Sequence, residues 1–349
     1  MKFNKKRNPF SLSFGKEPIS CIDRSMQKVE IIDAFEDDNP SHQVCMITGV
    51  RGSGKTVLLT EIGKHFRDKK EWVVIDLTPE RDLLTSFAAE LYNQKELRRL
   101  FRVSKINLSF LGLGVQIEGV EPITDINVAI RYMLECVSQH GKKVLITIDE
   151  ATCNRTMKEF VSVFQIYIRQ ELSVFLLLSG LYDKIYELQN EETLTFLYRA
   201  PRVELTPLHI GSIAKFYQGV FGLNDDDSLE MARATKGYSF AFQVLGYLCY
   251  QKSEHWTNVL DEYSHYLDDF VYDKIWSELS AKDKQVVYAM ASVADARVVA
   301  IRKKMKMSAS LFSGYRDRLL KKGIVTSPDY GRLEFTLPRF REFALGQIV

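Results

Sequence analysis

Residues 49–56 read Gly49-Val50-Arg51-Gly52-Ser53-Gly54-Lys55-Thr56, a glycine followed by four residues and then Gly-Lys-Thr. The run before it, residues 44–47, is apolar, and residues 57–64 carry apolar side chains at helical spacing. A strand, a glycine-rich turn and a helix aim successive backbone N–H groups at one point, which is how proteins cradle a phosphate. The stretch therefore predicts a phosphate-binding loop between a buried strand and a helix.

Each position of this motif predicts a specific contact with a nucleotide. The glycines let the backbone wrap closely around an anion with dihedral angles that side chains disfavour. Lys55 is expected to reach the β- and γ-phosphates, and the Thr56 hydroxyl is expected to bind Mg²⁺. The predicted ligands are thus ATP or ADP with Mg²⁺, and the predicted nucleotide-binding residues are Gly49, Val50, Arg51, Gly52, Ser53, Gly54, Lys55 and Thr56.

A second acidic motif completes the predicted nucleotide site. Residues 142–150 form a β-branched apolar run that ends in Asp149 and Glu150. The carboxyl ends of buried parallel strands are where open α/β sheets bind ligands. Asp149 is expected to hold the Mg²⁺ through water, while Glu150 is expected to polarise the attacking water. These residues predict an ATPase that converts ATP and water to ADP and phosphate.

Length and composition set broad limits. A chain of 349 residues with 46% hydrophobic and 26% charged residues is typical of two or three globular domains. No apolar run is long enough for a transmembrane helix, and the basic N-terminus is not followed by the apolar segment of a secretory signal. The five cysteines are scattered without metal-ligand spacing. We therefore expect a cytoplasmic protein with no membrane partner.

Strand-like runs alternate with helical patterns in the first part of the chain. Besides the two described above, such runs occupy residues 72–77, 174–179 and 203–205. This alternation predicts an α/β fold in which a five-stranded parallel sheet has helices on both faces. Residues 104–120 alternate about two glycines and predict an inserted β-hairpin, either a partner-contact flap or a loop decoration. The predicted organisation is an N-terminal segment (1–40) packing on the nucleotide site, a P-loop ATPase core (41–208), a helical lid (209–273) and a winged helix-turn-helix (274–349).

The last region predicts three helices and a hairpin, the pattern of a winged helix-turn-helix. From Trp276 onward the chain has 14 Lys and Arg against 7 Asp and Glu, a local net charge of +7 in a chain whose total is +2. Such an excess favours contact with a polyanion, and the third helix of this motif enters a major groove of DNA. The candidate contacts to double-stranded DNA are Arg316, Arg318, Lys321 and Lys322 on that helix and Arg332 at the wing tip. The alternative is a protein-contact module with a solvated basic face.

Taken together, these motifs resemble the AAA+/STAND-related P-loop ATPases, in particular the prokaryotic "archaeal ATPase" type and the origin-recognition initiators. The resemblance rests on the phosphate loop, Asp149-Glu150, the strand end at residues 177–180 and the terminal winged helix. It implies that Ser179 occupies the sensor-1 position, which reads the γ-phosphate. It also implies that Pro18-Ile19 and Arg24 lie near the adenine.

The chain departs from these families at one turn. After Thr235-Lys236, the sequence Gly237-Tyr238-Ser239 has serine where the STAND pattern has proline, and no arginine follows at the sensor-2 position of the initiators. The resemblance therefore implies slow hydrolysis. It also implies that an arginine before the last strand, Arg199 in preference to Arg202, acts in trans as an arginine finger in a homo-oligomer. The alternative is that both arginines pair with surface acids such as Glu191 or Glu192.

The sequence predicts an ATP-binding, slowly hydrolysing AAA+-like switch that couples nucleotide state to oligomer assembly and DNA binding. Two alternatives remain. One is a STAND-type signalling ATPase whose winged helix is a protein-contact module. The other is a kinase for a small molecule, which is disfavoured because Glu150 suits activation of water and no separate substrate lid is evident.

Overall fold

The structure of the protein is a computed structural model, and it describes residues 8–12, 22, 24–37, 39–109, 112 and 121–347. The chain divides into two compact units. We call residues Arg24–Thr48 and Lys55–Glu204 the sheet unit, and residues Met1–Asp23, Gly49–Gly54 and Leu205–Val349 the C-terminal unit. Residues 49–54 of the phosphate loop thus belong to the C-terminal unit, although they join a strand and a helix of the sheet unit in sequence.

The sheet unit is built on five parallel strands, as the sequence predicts. The strands are β1 (Val44–Thr48), β2 (Trp72–Leu77), β3 (Lys143–Ile148), β4 (Val174–Gly180) and β5 (Arg202–Glu204). Their order in the sheet is β2-β3-β4-β1-β5, and every neighbouring pair is parallel. Every residue of β1 and β4 is buried, because helices cover both faces and leave no polar face.

The helices of this unit alternate with the strands. They are α1 (Ser25–Glu36), α2 (Lys55–Arg67), α3 (Leu83–Asn93), α4 (Lys95–Val103), α5 (Ile126–Gln139), α6 (Arg155–Arg169) and α7 (Tyr182–Gln189), followed by a 3₁₀ segment (Glu192–Arg199). Side chains before three of them cap the helix N-termini by accepting backbone N–H groups, namely Asp82 for α3, Asp125 for α5 and Asn154 for α6. These caps fix where the connecting loops end and the helices begin.

The register of the sheet places its functional end. Ile47 of β1 pairs with Ser179 of β4, and Ile148 of β3 pairs with Leu178 of β4. Asp149, which follows β3, is therefore level with Ser179 at the carboxyl end of the sheet. The predicted β-hairpin over about 104–120 lies largely outside the described residues, and Ile106 and Leu108 at its start are buried in the core of the sheet unit.

The C-terminal unit is mostly helical. Its helices are α8 (Ile210–Phe221), α9 (Asp225–Arg233), α10 (Ser239–Lys252), α11 (Leu260–Leu267), α12 (Asp273–Ser277), α13 (Ala281–Ser292), α14 (Val298–Met305), α15 (Ala309–Lys321) and α16 (Phe340–Gly346). A 3₁₀ segment (Trp256–Val259) precedes α11, and a π-helical turn (Asp268–Tyr272) joins α11 to α12. Strands β6 (Val325–Thr326) and β7 (Glu334–Phe335) form an antiparallel pair between α15 and α16.

The order of α13, α14, α15, β6 and β7 is the three helices and hairpin that the sequence indicates. Ser308 caps α15 by accepting the Leu311 N–H at 3.3 Å. The description of this region as a winged helix-turn-helix, and the four-part division of the chain, stay predictions. No helix among the described residues is long and apolar enough to cross a membrane.

Buried tyrosines hold the helical part of the C-terminal unit together. Tyr217, Tyr263 and Tyr272 are completely buried, and each donates its hydroxyl to a backbone carbonyl distant in sequence. Phe10, in the described part of the N-terminal segment, is also buried here and stacks on Phe221, and its ring centroid lies 5.6–5.9 Å from those of its aromatic neighbours on α8 and α10. A large aromatic core with satisfied hydroxyls gives this unit one well-defined packing.

Candidate nucleotide-binding site

The phosphate loop has the backbone that its glycines predict. Gly52 and Gly54 have φ angles of +75° and +95°, in the region that favours glycine. The Ser53 N–H donates to the Val50 carbonyl at 3.2 Å, which closes a tight turn. Lys55 then begins α2, so that the lysine comes directly from the first turn of a helix, and it is 9% exposed. Helix N-termini with a preceding turn of this kind bind anions.

The predicted magnesium ligands lie in direct contact. The Thr56 hydroxyl donates to Oδ2 of Asp149 at 2.6 Å, although the two residues are 93 positions apart. Oδ1 of Asp149 accepts the Glu150 N–H at 3.0 Å and also the Ser179 hydroxyl. A hydroxyl and a carboxylate are oxygen ligands of the kind that Mg²⁺ prefers. The donor set therefore fits the predicted ion.

Ser179 lies where its strand predicts, and its hydroxyl is directed to Asp149. It is completely buried at the end of β4. Its carbonyl accepts the Ala151 N–H at 2.7 Å, which fastens the chain after β3 to β4. Ser179 therefore holds the Asp149 carboxylate and the following loop. Contact of Ser179 with a γ-phosphate stays a prediction.

Glu150, the predicted water-polarising residue, is exposed and has an unusual backbone conformation. Its φ angle is +54°, in the left-handed region. A residue other than glycine pays about 1–3 kcal/mol for such a conformation, and sites of this kind cluster where function requires a particular side-chain direction. Two hydrogen bonds hold this strained residue in place. The Glu150 N–H donates to Asp149, and the N–H of the following Ala151 donates to the Ser179 carbonyl on β4.

The backbone carbonyls of the phosphate loop accept hydrogen bonds from a turn that the sequence did not identify as functional. Tyr238 donates its hydroxyl to the Arg51 carbonyl at 2.6 Å, and Ser239 donates its hydroxyl to the Ser53 carbonyl at 2.9 Å. The Phe240 N–H donates to the Gly52 carbonyl at 3.2 Å. The only sequence indication was the departure from the Gly-x-Pro pattern at this turn.

The two arginines proposed for a neighbouring subunit differ in their surroundings. Arg199 ends the 3₁₀ segment and is exposed. Arg202 donates to Gln189 and to the Tyr182 hydroxyl, both at 3.3 Å, and its guanidinium lies 4.9 Å from the Tyr182 ring centroid. Glu191, one of the acids considered as a partner, pairs instead with Lys158 at 2.6 Å. Arg202 is therefore held within its own chain, whereas Arg199 faces solvent.

Two of the candidate DNA contacts on the helix already bind carboxylates. Arg318 donates to Asp283 at 2.9 Å, which raises the pKa of its guanidinium, and it stacks on Tyr315. Arg316 binds its neighbour Asp317 at 3.0 Å. Lys321 ends α15 and Lys322 follows it.

The wing candidate lies on the hairpin. Arg332 pairs with Glu334 of β7 at 3.7 Å, where both side chains are about half exposed. Its backbone also forms an isolated antiparallel bridge with Arg297. The turn between β6 and β7 carries Tyr330, whose side chain is fully exposed.

The residues implied for the adenine are only partly described. Arg24 directly precedes α1, and burial lowers its pKa. Pro18 and Ile19 lie outside the described residues.

Comparison with solved structures shows the fold. A Walker-type ATPase of Pyrococcus abyssi is 16% identical, with a TM-score of 0.67 over 92% of this chain and 95% of that chain. The ORC2 protein of Aeropyrum pernix, in its ADPNP-ADP complexes, is 13% identical, with a TM-score of 0.56 over 97% of both chains. The chain therefore shares the fold of these two proteins, a parallel sheet followed by a mostly helical region.

Two further comparisons concern sequence. Residues 269–344 match a family described as a domain of unknown function, DUF8462. No curated protein matches the chain. The match runs from the π-helical turn before α12 into α16.

Proposed function

We propose that this protein is a magnesium-dependent ATP-binding switch that hydrolyses ATP slowly. The observation that supports the proposal is the 2.6 Å hydrogen bond from the Thr56 hydroxyl to Asp149. Thr56 follows the lysine of the phosphate loop, and Asp149 follows β3. Folding brings together the two residues that the sequence assigned to one metal ion. Of the two proteins compared above, one is a Walker-type ATPase and the other was solved in ADPNP-ADP complexes, which supports the same chemistry here.

Each residue of this site has a separate role. The loop N–H groups and Lys55 bind the phosphates, and Thr56 and Asp149 hold the ion, which neutralises phosphate charge when bound. Glu150 is exposed at the same strand end and orients a water molecule. Hydrolysis is slow because no arginine follows the turn at residues 237–239 to complete the charge around the γ-phosphate.

The test of this site uses calorimetry and phosphate release. Lys55→Ala should abolish ATP binding because it removes the charge that faces the phosphates. Glu150→Gln should keep ATP affinity and lose most of the hydrolysis, because only the polarisation of water is lost. Lys64→Ala, on the same helix α2 but beyond the loop, is the matched control. Undiminished ATP affinity in the Lys55 variant would refute the assignment.

We further propose that the nucleotide state controls oligomer assembly and binding of double-stranded DNA by residues 274–349. The local charge of +7 from Trp276 onward supports a polyanion partner. Arg199 is exposed and is the residue that would reach the nucleotide of a neighbouring subunit, because Arg202 is hydrogen-bonded to Gln189 and Tyr182.

One observation favours the alternative, a STAND-type signalling ATPase whose C-terminal region contacts protein. Arg316 and Arg318, two of the three candidate cations on α15, are bound to Asp317 and Asp283. Paired cations release fewer counterions from DNA and so contribute less to affinity.

A salt titration on the full-length chain separates the two functions. Arg316→Glu/Arg332→Glu should weaken binding of duplex DNA and flatten its dependence on salt, while Arg98→Glu/Arg99→Glu on α4 makes the same charge change and should alter neither. Arg318 is left unchanged because it neutralises Asp283. If the wild-type chain binds no duplex even at low salt, the signalling function replaces the DNA-binding one.

A further inference from the structure

The phosphate loop is held along its carbonyl side by three consecutive residues of one turn. The carbonyls of Arg51, Gly52 and Ser53 accept hydrogen bonds from Tyr238, Phe240 and Ser239, at 2.6, 3.2 and 2.9 Å respectively. All of these residues belong to the C-terminal unit. Three neighbouring bonds to one short loop define its conformation far more closely than any single contact.

Anchoring a carbonyl also directs an N–H group. A peptide unit is planar and trans, so its N–H points away from its C=O. The Arg51 carbonyl shares a peptide with the Gly52 N–H, and the Ser53 carbonyl shares one with the Gly54 N–H. Tyr238 and Ser239 therefore fix the directions of the Gly52 and Gly54 N–H groups. The middle peptide bears the Ser53 N–H, which closes the turn onto Val50.

Tyr238 and Gly52 of the loop are in close contact, and the properties of both residues favour that contact. A Cβ atom at Gly52 would lie 2.1 Å from the Tyr238 hydroxyl, so only glycine allows this approach. Tyr238 is 5% exposed. Burial raises its pKa well above the usual range, and the hydroxyl therefore stays protonated and keeps its donor.

Residues near α13 and α15 also touch the loop. The Arg51 guanidinium pairs with Glu278, which precedes α13, at 3.1 Å. A Cβ atom at Gly323, which follows α15, would lie 2.5 Å from Cγ1 of Val50. The region that includes the candidate DNA-binding helix thus approaches the loop at two points besides the turn.

We propose that Tyr238 and Ser239 are positioning residues for phosphate binding, which orient the Gly52 and Gly54 N–H groups toward the anion by holding the opposite side of the loop. This inference rests on the proposed ATP site. Coupling is reciprocal, so phosphate that orders the loop also stabilises its contacts with residues 238–240, 278 and 323. The nucleotide is thereby sensed by the C-terminal unit without any side chain of that turn touching it.

The experiment compares tyrosine-to-phenylalanine variants in the full-length protein. Tyr238→Phe and Ser239→Ala each remove one hydroxyl that donates to the loop. Tyr217→Phe is the matched control, because Tyr217 is also buried in this unit and donates to a backbone carbonyl, that of Phe242, which is not in the loop. Calorimetry measures binding of ATP and of pyrophosphate, and chemical denaturation measures stability.

We expect Tyr238→Phe and Ser239→Ala each to weaken ATP and pyrophosphate binding about fivefold, the effect of one hydrogen bond. Tyr217→Phe should lower stability comparably and leave both affinities unchanged. If Tyr238→Phe and Ser239→Ala bind both ligands as Tyr217→Phe does, while Lys55→Ala loses binding, the positioning role is wrong and the ATP site stands. If Lys55→Ala binds like the wild type, the ATP site itself is refuted, and the positioning role with it.

Discussion

Replacing Asp149 by asparagine should separate the metal function of this residue from its structural function. Oδ1 of Asp149 accepts from the Glu150 N–H and the Ser179 hydroxyl, and Oδ2 accepts from the Thr56 hydroxyl. An asparagine carbonyl can take the place of Oδ1. Its NH₂ group can take the place of Oδ2, because the Thr56 hydroxyl can turn and accept instead of donating. No buried group is left without a partner, but the negative charge is lost.

The stability cost follows from these three bonds. Hydrogen bonds to a charged group contribute about 1.5–3 kcal/mol, and bonds between neutral groups about 0.5–1.5 kcal/mol. Losing the charge therefore costs about 1 kcal/mol per bond, and roughly 1–3 kcal/mol in total because the three bonds share one carboxylate. A protein of this size should remain folded at 25 °C, with its unfolding midpoint in urea lowered.

The assay is ATP binding by calorimetry with Mg²⁺ and with excess EDTA. Wild type should bind more tightly with Mg²⁺, whereas Asp149→Asn should show little difference between the two conditions. Asp76→Asn is the control, since Asp76 also accepts a threonine hydroxyl, that of Thr147 at 2.5 Å, on β2 and β3. An Asp149→Asn protein that keeps the wild-type response to Mg²⁺ would refute the metal assignment.

Three more outcomes are expected. Phe10→Ala should lower the free energy of unfolding by about 3–5 kcal/mol in urea denaturation, because a fully packed aromatic ring leaves a cavity. Burial raises the pKa of Asp268 to about 6, so the stability linked to its protonation is present near pH 4 and lost as pH rises through 6. Asp268→Asn should then stabilise the protein more at pH 7 than at pH 4 in thermal unfolding. Arg199→Ala and Lys55→Ala chains, each inactive alone, should recover phosphate release when mixed. Full activity of a dilute monomeric Arg199→Ala protein would exclude the finger.

The sheet could be predicted from sequence because each strand carries its own local pattern. Residues 72–77 were predicted to the residue, and the strand ends at Ile148 and Gly180 were predicted within one or two positions. A strand buried on both faces has no polar residue to obscure its limits. The glycine-rich motif likewise predicted a loop whose positive φ angles at Gly52 and Gly54 are observed.

The contacts that give the site its detail could not be predicted, because they join residues distant in sequence. The Ser179 hydroxyl reaches Asp149 only through the register of β3 and β4, and Tyr238 reaches Arg51 across 187 positions. Contacts between residues so far apart in sequence produce no local pattern from which they could be predicted.

Arg318 shows how far local charge can guide a functional assignment. The sequence places it on the predicted recognition helix, but Asp283 is nearly buried and needs a cation. Separating the pair would leave a buried carboxylate with only the Ser280 hydroxyl as a side-chain partner, at a cost of up to about 3 kcal/mol given that Arg318 is half exposed. A single phosphate contact at physiological salt does not offset that cost. Arg318 can therefore meet DNA only while it keeps Asp283, by using N–H groups on the other edge of its guanidinium. Asp283→Asn should then leave DNA affinity unchanged or raise it, and a loss of affinity in that variant would show that Asp283 holds Arg318 in its binding orientation.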